Sequence, residues 1–362
     1  MEHEKDWLFG YFSYDFKNEL EELISNNFDA LGFPVLQFFQ PNKIIIVDEG
    51  QLHFKYLETF ANEIESDYAE ITKYRSTDAS KKGTDPIKIK MRIHKDAYFE
   101  KTNQFLEHIH RGDIYEANFC QEFYAEDVSI DPWETYGKLN AISEPPFAAF
   151  VNLDNRYLMC ASPERYIKKT GEKVISQPIK GTAPRGKNED EDKRIKIALT
   201  KDEKERAENI MITDLVRNDL SKSALKGSVQ VEELCKAYTF KQVHQLISTI
   251  VSTVPEDKNP VELIKETFPM GSMTGAPKIS AMKIIEELEE TKRGLYSGTV
   301  GYFDPHGNFD FNVVIRSILY NATKKYVSYS VGGAITSKSN PENEYQECLL
   351  KAKAMRTVLE EG

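Results

Sequence analysis

The sequence predicts an α+β fold, because hairpin signals alternate along the chain with segments that have helical periodicity. Turn residues separate β-rich runs at 154–155, at 170–171 and at 304–308, and each pair of runs predicts a hairpin. Apolar residues recur at helical spacing over about 95–111. Hairpins separated by helices favour antiparallel sheets.

Three further segments complete this outline. Residues 43–58 predict another hairpin. Residues 75–86 are rich in Ser, Thr, Asp, Lys and Gly, which predicts a linker. Residues 186–206 carry many charges and predict a mobile loop followed by the start of a helix.

The composition is that of a globular protein with a core, since 40% of its 362 residues are hydrophobic and 29% are charged. A formal net charge of −11 argues against nucleic acid or an anionic membrane as a partner. The charged N-terminus is unlike a signal peptide and no long apolar run occurs, so we expect a cytoplasmic protein. The cysteines lack the spacing of a zinc site and are expected to be reduced; they are Cys120, Cys160, Cys235 and Cys348.

Lys180 is the first candidate functional residue. It ends a β-branched run and precedes a turn of Gly181, Thr182 and Pro184, which can hold an amine rigidly at the mouth of a sheet. A buried, neutral lysine is a strong nucleophile. The alternative interpretation is a surface lysine at the end of a strand, and the spacing alone leaves both open.

Two acidic pairs form the second candidate. Glu205 and Glu208 lie three residues apart in a predicted helix, and Glu344 and Glu347 repeat this spacing in the C-terminal helix. Residues three apart share a helix face. The two pairs could converge on one hard cation, and oxygen ligands suit Mg²⁺. Two ordinary solvated helices would show the same pattern.

Small residues and one arginine are candidates for binding an anion. Residues 271–278 place Gly, Ser and Thr before a predicted helix, where backbone N–H groups can meet a carboxylate. Gly332 and Gly333 are predicted at the end of a strand and permit close approach of a ligand. Arg316 is a lone charge in a predicted strand over 312–317 and suits bidentate capture of a carboxylate. Turns and strand edges are the ordinary explanations of these patterns.

Taken together, five segments in the same order resemble the chorismate-utilising enzymes. This family includes anthranilate synthase component I, aminodeoxychorismate synthase component I, and the isochorismate and salicylate synthases. The resemblance runs from about residue 90 to the C-terminus, and its segments are 161–165 (Ala-Ser-Pro-Glu-Arg), 178–186, 207–220, 271–278 and 344–354. Residues 7–16 also look like the family's short N-terminal region.

The resemblance implies two large, mostly antiparallel sheets packed orthogonally, with helices on the outside. It also implies a short N-terminal region, 1–85, packed on a chorismate-binding catalytic domain, 86–362. The N-terminal region is abbreviated, which argues against the regulatory tryptophan pocket of larger members.

Lys180 is the residue that separates the reactions within this family. Anthranilate synthases typically have alanine there and let ammonia attack C2 of chorismate directly, whereas aminodeoxychorismate synthases have lysine. The resemblance implies that Lys180 attacks C2 and expels the C4 hydroxyl, after which ammonia adds at C4 and releases the lysine. Glu164 occupies the position of the general acid that protonates the leaving hydroxyl.

The resemblance also implies the binding residues. Mg²⁺ would be held mainly by Glu208 and Glu347, with Glu205 and Glu344 nearby, and would bind the ring carboxylate. The other residues expected to contact the substrate or line the site are Thr182, Ser272, Thr274, Gly275, Tyr296, Arg316, Gly332, Gly333 and Lys351.

Two expected site residues depart from the family pattern. Gln245 stands where the family usually has histidine; His244 is adjacent, but a shift of one residue on a strand points it to the other face. Glu116 stands where ammonia-using members usually have glutamine and water-using members have a lysine base, which argues against an isochorismate synthase. We hypothesise that Glu116 and Gln245 compensate each other as an acid/amide exchange.

These expectations lead to one main hypothesis and two alternatives. The main hypothesis is an aminodeoxychorismate synthase component I in 4-aminobenzoate and folate biosynthesis, supplied with ammonia by a separate glutamine amidotransferase subunit. The alternatives are anthranilate synthase component I and a chorismate-binding protein without turnover, the latter suggested by the absent histidine.

Overall fold

The structure is a computed structural model that describes residues 5–74, 86–241 and 243–361. The linker predicted at 75–86 lies almost wholly outside the described residues. That linker and the division of the chain at residue 85 therefore stay predictions.

The described residues form eighteen β-strands and nine α-helices. The strands are β1 (Leu8–Phe12), β2 (Leu36–Phe39), β3 (Lys43–Asp48), β4 (Gln51–Tyr56), β5 (Lys90–Met91), β6 (Glu116–Ala125), β7 (Phe147–Leu153), β8 (Arg156–Ser162), β9 (Arg165–Thr170), β10 (Lys173–Gln177), β11 (Ile179–Pro184), β12 (Gln230–Thr239), β13 (Val243–Thr253), β14 (Gly275–Ala276), β15 (Thr299–Phe303), β16 (Phe309–Asn312), β17 (Ser317–Asn321) and β18 (Tyr326–Thr336). The helices are α1 (Lys17–Leu20), α2 (Ile64–Lys73), α3 (Lys95–Arg111), α4 (Pro132–Ser143), α5 (Glu189–Lys201), α6 (Glu203–Ser221), α7 (Pro260–Thr267), α8 (Lys278–Leu288) and α9 (Pro341–Glu360).

Two large antiparallel sheets carry the fold, which confirms the predicted α+β class. The nine-stranded sheet has the order β11-β13-β10-β9-β16-β15-β1-β2, with β12 also paired to β13. The seven-stranded sheet has the order β14-β6-β18-β17-β8-β7, with β5 also paired to β6. The strands β1 and β2 extend the larger sheet through the pairing of β1 with β15, so the N-terminal region contributes directly to it.

The main core lies between the two sheets, because apolar side chains of both form one buried cluster. Phe311 and Ile250 of the larger sheet and Leu158 and Leu319 of the smaller one belong to it. A second cluster joins the other face of the smaller sheet to α4 and α9. A third joins α3 and α8 to β6. This packing fixes β6, β11, α6 and α9, the elements that carry the candidate site.

The predicted hairpins and the helix over 95–111 are confirmed by β3–β4, β7–β8, β9–β10, β15–β16 and α3. The prediction of a mobile loop within 186–206 is wrong, because α5 occupies most of that segment. Asn188 caps α5 by accepting a hydrogen bond from the Glu191 N–H, and four acidic residues fill its first turn. Negative charge stabilises the N-terminus of a helix, so this charge pattern marks a helix start.

Three local predictions within the family segments are also corrected. Lys180 is the second residue of β11 and does not enter a turn. Arg316 lies in the connection between β16 and β17, not in a strand, and its φ is 52°. Gly332 and Gly333 lie inside β18 and not at its end, opposite Cys120 and Phe119 of β6.

Candidate active site

Lys180 lies between the two sheets and faces a buried carboxylate. Its Nζ is 3.4 Å from Oε1 of Glu116, and the two side chains are 12% and 1% exposed. The pairing of β11 with β13 shifts register between Ile179 and Thr182, which places Lys180 and Gly181 in an irregular stretch of the ladder. Such bulges re-aim side chains and are frequent near active sites. The strand-end interpretation of Lys180 is therefore wrong, because its amine is enclosed.

Asn209, a residue that the sequence did not single out, fixes the main chain of Lys180. Its Nδ2 donates to the carbonyl oxygen of Lys180 at 3.2 Å and to that of Leu246 at 3.1 Å. Asn209 is 1% exposed and follows Glu208 on α6. Because both N–H groups of this buried amide are hydrogen-bonded, Asn209 holds β11 and β13 against α6. Its position beside Glu208 was the only available signal.

The surroundings of Lys180 keep its amine charged. Burial lowers the pKa of Lys180, but Glu116, Glu208, Glu164 and Glu347 together outweigh burial and raise it above its ordinary value. Burial alone would favour the neutral amine. The surrounding carboxylates outweigh burial and favour the charged amine, so the lysine needs a proton acceptor before it can act as a nucleophile.

Glu164 is placed to donate a proton. It lies between β8 and β9, is 4% exposed, and its Oε1 accepts a hydrogen bond of 2.6 Å from Ser272 Oγ. Burial raises the pKa of Glu164 to about 7, against the opposing influence of Ser272 and Lys180. A carboxyl with a pKa near the working pH suits a general acid.

The two acidic pairs approach each other between α6 and α9, and their binding of one cation stays a prediction. Burial, followed by the charges of Glu208 and Glu347, raises the pKa of Glu205 to about 7. Burial also raises the pKa of Glu208 and of Glu344, whereas the neighbouring Lys351 lowers that of Glu347. Gly181, which follows Lys180 in the chain, lies close to this cluster, because a Cβ on it would be 3.2 Å from Glu205 Oε2.

Lys204 is a second residue that the sequence analysis missed. Its Nζ lies 3.8 Å from Glu208 Oε1 and 3.6 Å from Glu344 Oε1, between the two helices. Both of these carboxylate oxygens are buried and have no hydrogen-bond partner within the described part of the chain. Lys204 precedes Glu205 on an exposed turn of α6, so its sequence position resembles that of any solvated lysine.

The residue types of this cluster fit a hard divalent cation. Its donors are all carboxylate oxygens, the ligands that Mg²⁺ prefers. Unbonded buried oxygens on Glu208 and Glu344 are consistent with a cation. As the side chains are placed, no three His, Cys, Asp or Glu residues in 5–74, 86–241 and 243–361 form a ready metal cage.

Arg316 and Tyr296 form another part of the candidate site. Arg316 is half-buried, and its guanidinium makes no ion pair or side-chain hydrogen bond with any residue that the structure describes. Burial lowers the pKa of Arg316, with Tyr296 and Glu347 acting against it. Tyr296 is 3% exposed, and its hydroxyl lies 3.7 Å from Cys120 Sγ. An enclosed guanidinium without a protein partner suits an anionic ligand.

Gly332 and Gly333 of β18 and Lys351 of α9 lie next to the acidic cluster. Lys351 Nζ donates to the carbonyl oxygen of Gly332 at 2.9 Å and pairs with Glu347 Oε1 at 2.6 Å. A Cβ on Gly333 would lie 3.5 Å from Glu344 Oε2. A Cβ on Gly275 would lie 2.1 Å from the carbonyl oxygen of Glu116, so only glycine fits there.

Gln245, which departs from the family pattern, and its neighbour His244 point to opposite faces of β13. Gln245 is 4% exposed, lies opposite Thr182, and its Oε1 has no hydrogen-bond partner among the described residues. His244 turns away, with its ring nitrogens near Asp192 Oδ1 at 2.9 Å and Thr239 Oγ1 at 3.0 Å. No described hydrogen bond joins Gln245 to Glu116, so their mutual compensation stays a hypothesis.

Thr274 is held by its own turn. Its Oγ1 donates weakly to the carbonyl oxygens of Met270 and Gly271, each at 3.3 Å. Its carbonyl oxygen accepts a 2.7 Å bond from the Asn118 N–H of β6. In this arrangement the hydroxyl of Thr274 shapes the loop that presents Ser272, and a contact between that hydroxyl and substrate is a prediction.

Comparisons with known proteins identify the family of this chain. Residues 1–357 match the family described as chorismate binding enzymes. The chain is 40% identical over 266 residues to aminodeoxychorismate synthase component 1 of Escherichia coli, across 74% of this chain and 58% of that protein. It is 35% identical over 355 residues to an anthranilate synthase component I-like protein of Synechocystis, across 98% of this chain and 72% of that protein.

A solved structure extends the likeness to three dimensions. Anthranilate synthase component I from Streptococcus pneumoniae superposes with a TM-score of 0.86 at 27% identity, covering 96% of this chain and 80% of that one. In the described part of this chain, no helix has the length and apolar content needed to cross a membrane. The match over residues 1–357, together with the site geometry, establishes that the chain belongs to the chorismate binding enzymes.

Proposed function

We propose that this protein is an aminodeoxychorismate synthase component I, which converts chorismate and ammonia to 4-amino-4-deoxychorismate. The observation that carries the proposal is the enclosed amine of Lys180 beside Glu164 and the acidic cluster. Anthranilate synthases of this family typically have a small residue at that position. The Escherichia coli relative of that name, at 40% identity, supports the same choice.

Lys180 and Glu164 carry the bond changes of the proposed reaction. The neutral amine of Lys180 attacks C2 of chorismate, both ring double bonds shift, and the C4 hydroxyl leaves as water with a proton from Glu164. Ammonia then forms the new bond to C4, and the bond between Lys180 and C2 breaks. With a pKa of about 7, Glu164 is protonated in a large fraction of molecules at neutral pH.

Two groups of residues would recognise the two carboxylates of the substrate. Glu208 and Glu347, with Glu205 and Glu344 nearby, would hold Mg²⁺, which when bound supplies positive charge for the ring carboxylate of the substrate. Arg316 would pair with the enolpyruvyl carboxylate, near Tyr296 and the backbone of Gly275 and Gly333. These assignments follow the family pattern and the charges described above.

Ammonia would come from a separate glutamine amidotransferase subunit, as the designation component 1 of the Escherichia coli relative suggests. Free ammonium at high pH can replace such a subunit in an assay, because it supplies un-ionised ammonia directly.

The test is a product assay with purified protein, chorismate, Mg²⁺ and ammonium at high pH. We expect a product that added aminodeoxychorismate lyase converts to 4-aminobenzoate. Chorismate binding without turnover would reject the proposal and support the binding-protein alternative.

Anthranilate synthase component I is the second candidate. The relative of that type at 35% identity aligns with 98% of this chain, more than the aminodeoxychorismate synthase does. Anthranilate is fluorescent, so the same reaction mixture distinguishes the two activities. Fluorescent product formed without the lyase would identify this alternative.

Intact-mass measurement tests the covalent step. Wild-type protein quenched with chorismate and Mg²⁺, without ammonia, should gain a substrate-derived mass that Lys180→Ala lacks. Lys90→Ala is a control, since Lys90 pairs on the surface with Glu126 and should leave the adduct unchanged. Full activity of Lys180→Ala with ammonia would remove the covalent mechanism but leave the overall reaction standing.

A further inference from the structure

The partner of Lys180 is itself in an unusual environment. Glu116 is 1% exposed, and Lys180 is the only cation within ion-pair distance of it among the residues described. Its second carboxylate oxygen, Oε2, is buried without a hydrogen-bond partner in the described structure. Burial of an unsatisfied polar group is destabilising, so a structural role alone does not explain a buried carboxylate with one unbonded oxygen.

The backbone holds Glu116 rigidly against the lysine. Glu116 opens β6 and pairs with Ala276 of β14 and with Thr336 of β18. Gly275 packs so closely that any side chain on it would collide with the Glu116 carbonyl. Lys180 lies in the other sheet, where Asn209 of α6 donates a hydrogen bond to its carbonyl oxygen. The contact between Nζ and Oε1 therefore joins two strands that are held independently.

Glu116 is the nearest proton acceptor to Lys180. Three other carboxylates act on the lysine from other elements, namely Glu164 between β8 and β9, Glu208 of α6 and Glu347 of α9. None of the three forms an ion pair with Lys180 in the described structure, where Glu116 alone lies within 4.0 Å. Burial raises the pKa of Glu116, which makes it a stronger base than an exposed carboxylate.

We propose that Glu116 is a catalytic base that accepts the proton Lys180 must lose before it attacks the substrate. This inference rests on the proposed function. The proton passes from Nζ to the Glu116 carboxylate, and the bond from Nζ to C2 then forms as the C4–O bond breaks. When ammonia has displaced the lysine, the free amine takes its proton back from Glu116. The ammonium formed on the product returns a proton to Glu164.

An internal base has a specific kinetic consequence. While the pair of Lys180 and Glu116 holds one proton, the fraction with a neutral lysine does not depend on pH. If Glu116 is replaced by glutamine, solvent must remove the proton, and the neutral fraction rises tenfold with each pH unit below the pKa of the lysine.

The experiment measures the rate of adduct formation by rapid quench and intact mass between pH 6.5 and 9, with chorismate and Mg²⁺. Glu116→Gln should form the adduct at least tenfold more slowly than wild type at pH 7. The ratio of variant to wild-type rate should rise about tenfold per pH unit. Using the ratio cancels the titration of Glu164, which both proteins share. Glu116→Asp should restore a pH-independent ratio.

Glu122→Gln is the matched control. Glu122 is a second buried carboxylate on β6, and it pairs with Arg92 at 2.9 Å instead of with Lys180. Its ratio to wild type should not change with pH, even if the protein is less stable. Thermal melting of each variant checks that it is folded at the assay temperature.

The outcomes separate this inference from the proposed function. A Glu116→Gln protein that forms the adduct at the wild-type rate, or with a constant ratio at all pH values, overturns the role of Glu116. Formation of 4-amino-4-deoxychorismate without any adduct on wild type also overturns it, but leaves the proposed function intact. Absence of that product overturns the proposed function itself.

Discussion

Two groups of buried charges in this protein differ in how completely their polar atoms are bonded. Arg293 donates to both oxygens of Glu289 and to the carbonyl oxygens of Met273 and Asn118, at 2.6–2.9 Å. In the site, by contrast, one oxygen each of Glu116, Glu208, Gln245 and Glu344 has no hydrogen-bond partner in the described structure. Completed networks stabilise a fold, whereas a buried carboxylate oxygen without a hydrogen bond can accept a ligand or a proton; among the described residues these oxygens belong to Glu116, Glu208 and Glu344.

The completed networks support the site from behind. Arg293 ties β6 to the loop that carries Ser272. Lys278 closes the other end of that loop by donating to Asp219 Oδ2 at 2.5 Å and to the carbonyl oxygens of Pro269 and Thr267 at 2.8 Å and 3.2 Å. The comparison therefore predicts that charges of the first kind control stability and charges of the second kind control chemistry.

Loss of Arg293 should have the largest effect on stability. In Arg293→Met, Glu289 stays buried without its partner, and two carbonyl groups lose their donor. We expect the free energy of unfolding to fall by about 3–5 kcal/mol. Urea denaturation measures this change. Adding Glu289→Leu should recover part of the loss, because the unpaired charge is then also removed; a loss below about 1 kcal/mol for the single variant would break the comparison.

Lys278→Met should have an intermediate effect, about 2–3 kcal/mol, because Asp219 keeps a second partner in Lys222 at 3.1 Å. The loop would also hold Ser272 less firmly, so kcat should fall more than KM rises. Lys222→Met is the matched control, since it removes the exposed partner of the same carboxylate. Equal losses of stability in the two variants would show that burial of the Lys278 contact is unimportant.

The pH dependence of catalysis sharpens the other side of the comparison. Burial raises the pKa of Glu164 to about 7, and a general acid must carry its proton. We expect kcat to fall about tenfold per pH unit well above pH 7, or about 1.4 kcal/mol per unit, at a constant concentration of un-ionised ammonia. The residual activity of Glu164→Gln should lack this slope. A slope that persists in the variant would assign the titration to another group.

Features of the fold and of the candidate site that depend on neighbouring residues in the chain could be predicted from the sequence. Hairpin turns and the bounds of α3 are local features, and the shared helix face within each acidic pair is a periodic one, so the sequence predicts them. The family segments located Lys180 and Glu164. The many charges of segment 186–206 predict a solvated loop, but Asn188 and the four acidic residues after it form the pattern of a helix N-terminus.

Partnerships between distant residues could not be predicted. Glu116 and Lys180 lie on different sheets, and Arg293 reaches Met273 and Asn118 from outside any regular pattern. Nothing in the sequence distinguishes Glu289, which is 6% exposed, from Glu290 beside it, which is exposed. Burial decides whether a charge must be paired, and burial depends on the tertiary packing of both sheets.

Glu205→Gln should give the smallest effect, with the opposite sign to that of the completed networks. Burial and the charges of Glu208 and Glu347 raise the pKa of Glu205 from 4.5 to about 7. Because the folded pKa is the higher one, ionisation destabilises the folded state: the cost is absent below about pH 4, grows between about pH 4 and 7, and is complete above pH 7.

The side chain of Glu205 is partly exposed, so we expect Glu205→Gln to be more stable than wild type by only about 1 kcal/mol at pH 8 without divalent cations, and by nothing at pH 4. Glu203→Gln removes a charge from the same first turn of α6 without a neighbouring carboxylate cluster, and it should lower stability slightly at pH 8 through the helix dipole. If Glu205→Gln were destabilising like this control in urea denaturation at pH 8, the carboxylates of the site would be as well compensated as those of Arg293 and Glu289, and the distinction between the two groups of charges would fail.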